Sequence, residues 1–286
     1  MQIKHIILPA IFPLFEVKNS IFEIINLSQN QRLRVMLFHD ISPENLSKFS
    51  NQITHLIRSW EFITTEQFVR ILSGSEEIKK KSILLTFDDG FYSNRIVVEK
   101  ILNPLGIKAL FFIVSEFAAL SPQDNWRGFV SKHIWPGLIE SEVPDHWNNM
   151  SWRDLEFLLD SGHTIGAHTA HHARLSKVSG FELEGEIVES ADLIENKLGI
   201  SVEHFAYTFG DLASFSPKAL ALARQRFQFI YTGLRGNNSL RVPPWAIRRD
   251  AINPTDSHAL VGAYLEGGAD FLYRKSLKTY ESWGLS

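Results

Sequence analysis

Five side chains in this sequence are of the types that metal-assisted hydrolysis uses. They are Asp88 and Asp89 in "TFDDG", His168 and His172 in "HTAHH", and His39 in "LFHD". Two neutral imidazoles and one carboxylate suit Zn²⁺ or a similar divalent ion and leave positions open for water. His168 and His172 are four apart, so one helical turn or a compact loop can aim both inward. A bound ion lowers the pKa of its water and polarises a carbonyl. A second carboxylate nearby can take the proton from that water. The adjacent Asp88 and Asp89 can divide these two jobs, and His39 can protonate a leaving group. Each piece alone has a plainer explanation. Two aspartates before Gly90 suit a turn, and a strand-end histidine is commonly a satisfied rim residue. The combination points to chemistry, because acids ending an apolar strand are costly unless solvated, paired or metal-bound.

The elements that must position these residues follow from the apolar pattern. Residues 34–41 and 82–90 read as strands, the second a near-continuous apolar run like a strand buried on both faces. Further strands are expected over 108–117, 163–168, 204–210, 229–234 and 245–250, alternating with helices. One helix starts at Ser42 and Pro43, with Leu46, Phe49, Ile53, Leu56 and Trp60 on one face. A second has Thr64 and Gln67 placed as a capping box and Gly74 as its stop. The last helix is expected near 256–265. Repeated βα units imply an α/β barrel or a doubly wound sheet, and both place active sites at the carboxyl ends of strands. His39, the Asp88–Asp89 pair and His168–His172 all fall at such ends. So do Arg248, Arg249 and Asp250, one arginine of which can pair with Asp88. The alternation lapses over 118–150, an inserted loop region carrying Trp126, Trp135 and Trp147. It reads equally as a packed excursion or as a substrate-facing lid.

Composition bounds the partners. A chain of 286 residues, 44% hydrophobic and 21% charged, can bury a sizeable core. A net charge of −3 offers no global basic field for nucleic acid. The absence of Cys removes disulfides, thiolate ligands and a Cys nucleophile. The apolar run from His5 to Phe15 is interrupted by Pro9 and Pro13 and ended by Glu16, too short for a transmembrane helix. It shows no clear cleavage site. Residues 1–30 are therefore read as an extension packing on a single domain, 31–286, with peripheral membrane contact as the alternative. A cytoplasmic location is expected. The sequence does not set the oligomeric state.

"TFDDG" followed by "HTAHH" resembles the first two motifs of the polysaccharide deacetylases, the NodB-homology domains of carbohydrate esterase family 4. His168, Thr169 and His172 satisfy the His-Ser/Thr-x-x-His pattern, and His171 falls on its variable position. "GFYSN", "GIKALFFIV" and "SGHTIGAHT" agree with the surrounding text, and the likeness runs from about Arg34 to Asp250. The resemblance implies a distorted (β/α)7-type barrel. It implies Asp88 as general base, and Asp89, His168 and His172 as ligands of one divalent metal, Zn²⁺ first, with Co²⁺, Ni²⁺ or Mn²⁺ as alternatives. It further implies removal of an N- or O-acetyl group from a sugar, with a backbone N–H near Phe209 holding the oxyanion and Tyr207 beside it. "FAYTFGD" departs from the usual third motif, lacking its Arg and Pro. The usual fifth-motif His has no clear match. "LFHD" is similar to the branch whose acid His lies on the first strand, so His39 is preferred to His258. The expected substrate is an acetylated sugar or glycan intermediate of envelope polysaccharide or lipopolysaccharide assembly. Two other readings are a hydrolase of another C–N bond on the same scaffold and an inactive carbohydrate-binding protein. The intact acid and imidazole set speaks against the last.

Overall fold

The computed structural model describes residues 32–238 and 242–285. The extension assigned to residues 1–30 lies outside the described residues. No helix among them is long and apolar enough to cross a membrane. The strands are β1 (Leu33–Phe38), β2 (Glu61–Phe62), β3 (Ser82–Phe87), β4 (Ala109–Ile113), β5 (Thr164–Ala167), β6 (His204–Ala206), β7 (Phe229–Tyr231) and β8 (Asp250–Ala251). All pair in parallel in the order β7-β6-β5-β4-β3-β1-β8, with β2 beside the start of β3. The sheet curls and nearly closes on itself. Residues 247–252 bond to the β7 side through Thr232 N–H to Ile247 O, 2.8 Å, and to β1 through Ile252 N–H to Leu37 O, 2.9 Å. This is the distorted (β/α) barrel that the sequence implied.

Apolar runs became strands because both of their faces are covered. Along β3, Leu84 joins one core cluster while Ile83, Leu85 and Phe87 join another. The same division separates Leu110 and Phe112 from Ala109, Phe111 and Ile113 on β4, as a period of two requires. Phe38, Phe87 and Phe111 stack in series at 5.8 and 5.0 Å just below the strand ends that carry the candidate site.

Three sequence expectations need correction. Ser42 makes no side-chain cap, and a 3-10 turn over Pro43–Asn45 precedes the helix Leu46–Leu56. The strand expected over 245–250 contracts to β8 and one bridge, Tyr231 to Ile247. The reason is Asn238, whose side chain accepts from Arg248 N–H and donates to Arg248 O, both at 2.9 Å, taking the place of a strand partner. The helix His258–Leu265 is not the last, because Arg274–Trp283 follows and buries Leu277 and Tyr280. The capping box at Thr64 and Gln67 is formed.

His163, the residue before β5, ties that strand to the start of β4. Its Nδ1 accepts from Ala109 N–H at 3.1 Å and its Nε2 faces Asn103 Oδ1 at 3.2 Å. Burial first, then Lys108, brings its pKa from 6.5 down to about 4. Burial does the same to His204, also to about 4. The unfolded chain therefore takes up protons below pH 6.5 that the folded chain refuses until about pH 4. Stability is complete above 6.5 and falls as the pH drops through that window, by roughly 3 kcal/mol per histidine. Urea titrations of wild type and His163→Gln across this range should show a shallower decline in the variant. Equal slopes would refute the assignment for His163.

Candidate active site and metal centre

The strand ends bring the predicted side chains together. Asp88 and Asp89 follow β3, His168 follows β5, and His39 follows β1. His168 Nε2 lies 3.5 Å and His172 Nε2 3.4 Å from the same oxygen, Asp89 Oδ1. All three residues are buried, and their ligand atoms lie within 4.8 Å of one another. Asp89 Oδ1 is buried with no hydrogen-bond partner. A buried carboxylate oxygen left so costs on the order of 1–3 kcal/mol or more. A cation among these three atoms would satisfy it.

Both imidazoles present Nε2 to Asp89 and could serve as ligands. His168 Nδ1 meets Ala206 O at 2.6 Å and His172 Nδ1 meets His133 O at 3.2 Å. Each carbonyl takes an Nδ1–H, which leaves the Nε2 lone pair facing Asp89. Burial is the first cause that brings His172 from 6.5 down to about 4, so it is neutral at physiological pH. The donor set of one carboxylate and two neutral imidazoles fits a divalent ion of the zinc type.

Backbone strain is concentrated at the same place. Among the described residues, four non-glycine residues have positive φ: Asp89 (75°), Thr169 (67°), His172 (57°) and Phe209 (61°). Such residues are uncommon and persist where the surroundings over-determine them. Phe209 is followed by Gly210 at φ +69°, whose Cα approaches Gly233 so closely that a Cβ would stand 2.7 Å from the Gly233 Cα. The turn therefore needs glycine there. It sets the half-exposed Phe209 ring 4.7 Å from His172.

Asp88 is held differently from Asp89. Arg249 grips it with two parallel bonds, Nη1 to Oδ1 at 2.7 Å and Nη2 to Oδ2 at 2.9 Å, and both residues are buried. Burial pushes the Asp88 carboxyl up, but Arg249, His168 and His39 more than offset this and leave it below the usual carboxylate range. Asp88 is thus an ionised carboxylate with His168 Nε2 3.8 Å from its Oδ2.

The structure sorts the remaining sequence candidates. Arg249 is the arginine that reaches Asp88. Arg248 does not reach the site, and pairs with Glu281 at 2.9 Å. Asp250 is engaged by the fully buried Arg34, with bonds of 2.8 and 2.6 Å, and supports the barrel. Tyr207 is not on the cavity. It is fully buried and stacks on Phe215 at 4.2 Å, because the residue after β6 turns toward the helical layer. His258 lies outside the cavity, exposed and stacked on His55 at 4.1 Å. His39 lines the cavity as an exposed side chain.

That cavity, of about 530 Å³, has Asp89 and His172 in its wall and His39, Trp135, Trp147 and Phe209 around them. The inserted region 118–150 packs on the barrel and also lines the cavity. Val130, Ile134 and Val143 form a small core with Phe91 and Phe117, while the Trp135 and Trp147 rings lie tilted against each other at 5.5 Å and line the cavity. The inserted region is stitched to the turn after Asp89, with Tyr92 N–H donating to Asn148 O at 2.8 Å and Met150 N–H to Gly90 O at 2.9 Å. Asp40, beside His39 at the end of β1, anchors it too. Its Oδ2 accepts from Trp147 Nε1 and faces His146 Nε2, both at 3.1 Å. Its neighbour His39 drew attention to that strand end, but nothing local in sequence could pair it with a tryptophan 107 residues away.

Comparison with known proteins agrees with this architecture. Residues 75–226 match the family model described as "Polysaccharide deacetylase". The segment holds Asp88, Asp89, His168, His172 and Phe209, but not His39 or Arg249. The Bacillus subtilis (strain 168) protein YxkH, which carries a polysaccharide deacetylase name, is 20% identical over 242 residues, covering 82% of this chain and 76% of that one. The structure of IcaB from Ammonifex degensii is similar with a TM-score of 0.65 at 21% identity, over 84% of this chain and 99% of that chain. Streptococcus pyogenes deacetylase PplD, solved with acetate, gives a TM-score of 0.66 at 19% identity, over 83% of this chain and 99% of that chain. With the match spanning more than half of its length, from just before β3 to the end of the helix Pro217–Arg226, the chain belongs to the polysaccharide deacetylase family.

Proposed function

We propose that the protein is a metal-dependent deacetylase that hydrolyses an N- or O-acetyl group on a sugar or glycan of the cell envelope. The observation that carries the reading is the convergence of His168 and His172 on the unpartnered Asp89 Oδ1, beside an ionised Asp88. When bound there, a divalent ion, Zn²⁺ first, supplies Lewis acidity and a water of lowered pKa. The chain's own residues do the rest. Asp88, kept ionised by Arg249, receives the proton of the attacking water. Its burial keeps bulk water from competing for that role. The Phe209 turn offers its backbone N–H to the developing oxyanion. His39, across the cavity, returns a proton to the departing amine or alkoxide. Trp135 and Trp147 form an apolar wall against a sugar ring and its acetyl methyl, and about 530 Å³ is a typical small-ligand volume.

The test is acetate release from an activated acetyl ester and from acetylated hexosamine oligomers. Chelator-stripped protein is compared with protein refilled with Zn²⁺ or Co²⁺. Loss of activity on stripping and return with one ion per chain is the expected result. An ion that binds while no acetylated sugar yields acetate would overturn the assigned reaction. Failure to bind any ion would overturn the assigned ligands.

A further inference from the structure

We infer that Glu186 is a positioning residue for the metal centre, clamping the loop that carries both histidine ligands. The inference rests on the metal reading above. Between His168 and His172 the chain passes through two left-handed residues, Thr169 and His172 itself, so the loop has no helical or sheet bonding of its own. Its carbonyls are held from one side. Thr169 O accepts from Ser115 N–H at 3.2 Å, Ala170 O from Glu116 N–H at 3.1 Å, and Ala173 O from the Thr208 hydroxyl at 2.5 Å. The N–H groups of Ala170 and His171 are held from the other side by Glu186. Oε2 accepts from Ala170 N–H at 3.1 Å and His171 N–H at 2.9 Å, while Oε1 faces His171 Nδ1 at 2.9 Å.

Glu186 is buried, and a buried carboxylate is tolerated only when its oxygens are engaged. All three of its contacts here fall on the ligand loop. Glu186 also sits in a π turn, Gly185–Glu189, which interrupts the helical run that begins at Phe181. Such turns change which residues face inward and recur at functional sites. A second π turn, Val130–Ile134, carries the His133 carbonyl that fixes His172. Two irregular turns thus brace the same ligand pair, one through a carbonyl and one through a carboxylate. Outer-shell partners of this kind commonly govern metal affinity about 10–100-fold.

The experiment measures Zn²⁺ affinity by competition with a chromophoric chelator, for wild type, Glu186→Ala and Glu186→Gln, alongside thermal melts of the metal-free proteins. Glu186→Ala should weaken Zn²⁺ binding about 10–100-fold. Glu186→Gln, which keeps one acceptor for the two backbone N–H groups, should recover part of that loss and guards against an alanine variant that fails to fold. The Co²⁺-substituted visible spectrum should shift in Glu186→Ala, because the imidazoles no longer meet the ion at the same angles. A merely structural glutamate would lower the melting temperature and leave affinity and spectrum unchanged, which would overturn the inference. If wild type binds no Zn²⁺, the metal reading fails first and this inference falls with it. If wild type binds and Glu186→Ala binds equally well, the inference alone fails.

Discussion

Asp88→Asn should lower kcat for acetate release by about 10²–10⁴-fold while the chain still binds one divalent ion. The substitution keeps the shape of the side chain and removes its basicity. Asp89, His168 and His172 are untouched, so metal stoichiometry should match wild type. Asparagine is chosen over alanine because Arg249 is fully buried and points two donors at Asp88. Alanine would leave that guanidinium charged and unpaired, and a loss of activity would then report a loss of fold. The asparagine oxygen keeps one of the two bonds, but the buried guanidinium loses its countercharge, so the stability cost should be about 3–5 kcal/mol. Zinc content and circular dichroism on the same samples separate the outcomes. A loaded, folded variant with kcat within tenfold of wild type would remove Asp88 from the role of base.

The parts of this site legible in sequence are those that ride on strand ends. Apolar runs buried on both faces specify β3 and β5, and the polar residues following them must then appear on one rim. That places Asp88, Asp89, His168 and His172 without knowledge of any long-range contact. Arg249 was legible only as one of three charged residues at a strand end. Which of Arg248, Arg249 and Asp250 faces the site depends on local phase, and Asn238 interrupts the ladder at that point. Tyr207 was misplaced for a similar reason. A tyrosine one residue past a strand can face the cavity or the helices, and the left-handed turn at Phe209 sends Tyr207 to the helical side. The helix Arg274–Trp283 was missed because only Leu277 and Tyr280 on it are buried, too sparse an apolar stripe to stand out from a polar terminus. Glu186 and Asp40 act through partners 15 and 107 residues away, pairings that no local pattern carries.

Arg249→Met should cost about 3–5 kcal/mol of stability, because it strands a buried carboxylate rather than simply deleting a contact. Methionine has comparable length and keeps packing against Phe112, over which the guanidinium now sits at 5.2 Å. What disappears is the bidentate grip on Asp88 and the Nε–H bond to Thr232 O, 2.9 Å, that ties in the end of β7. Arg248→Met is the matched control. Its partner Glu281 is partly exposed, so its loss should cost about 1 kcal/mol or less. Urea denaturation at neutral pH measures both. The double variant Asp88→Asn with Arg249→Met should be more stable than Arg249→Met alone, since charge and partner then leave together. Equal costs for the two arginines, or no recovery in the double variant, would show that the Asp88 charge is not what Arg249 balances. The expected pattern has a functional meaning. A neutral pair of the same volume would serve the fold as well as Asp88 and Arg249 do, so on the proposed function the ion pair is explained by the need for an ionised, water-shielded base. Arg249→Met should then lose turnover as well as stability, with zinc stoichiometry unchanged in the fraction that remains folded.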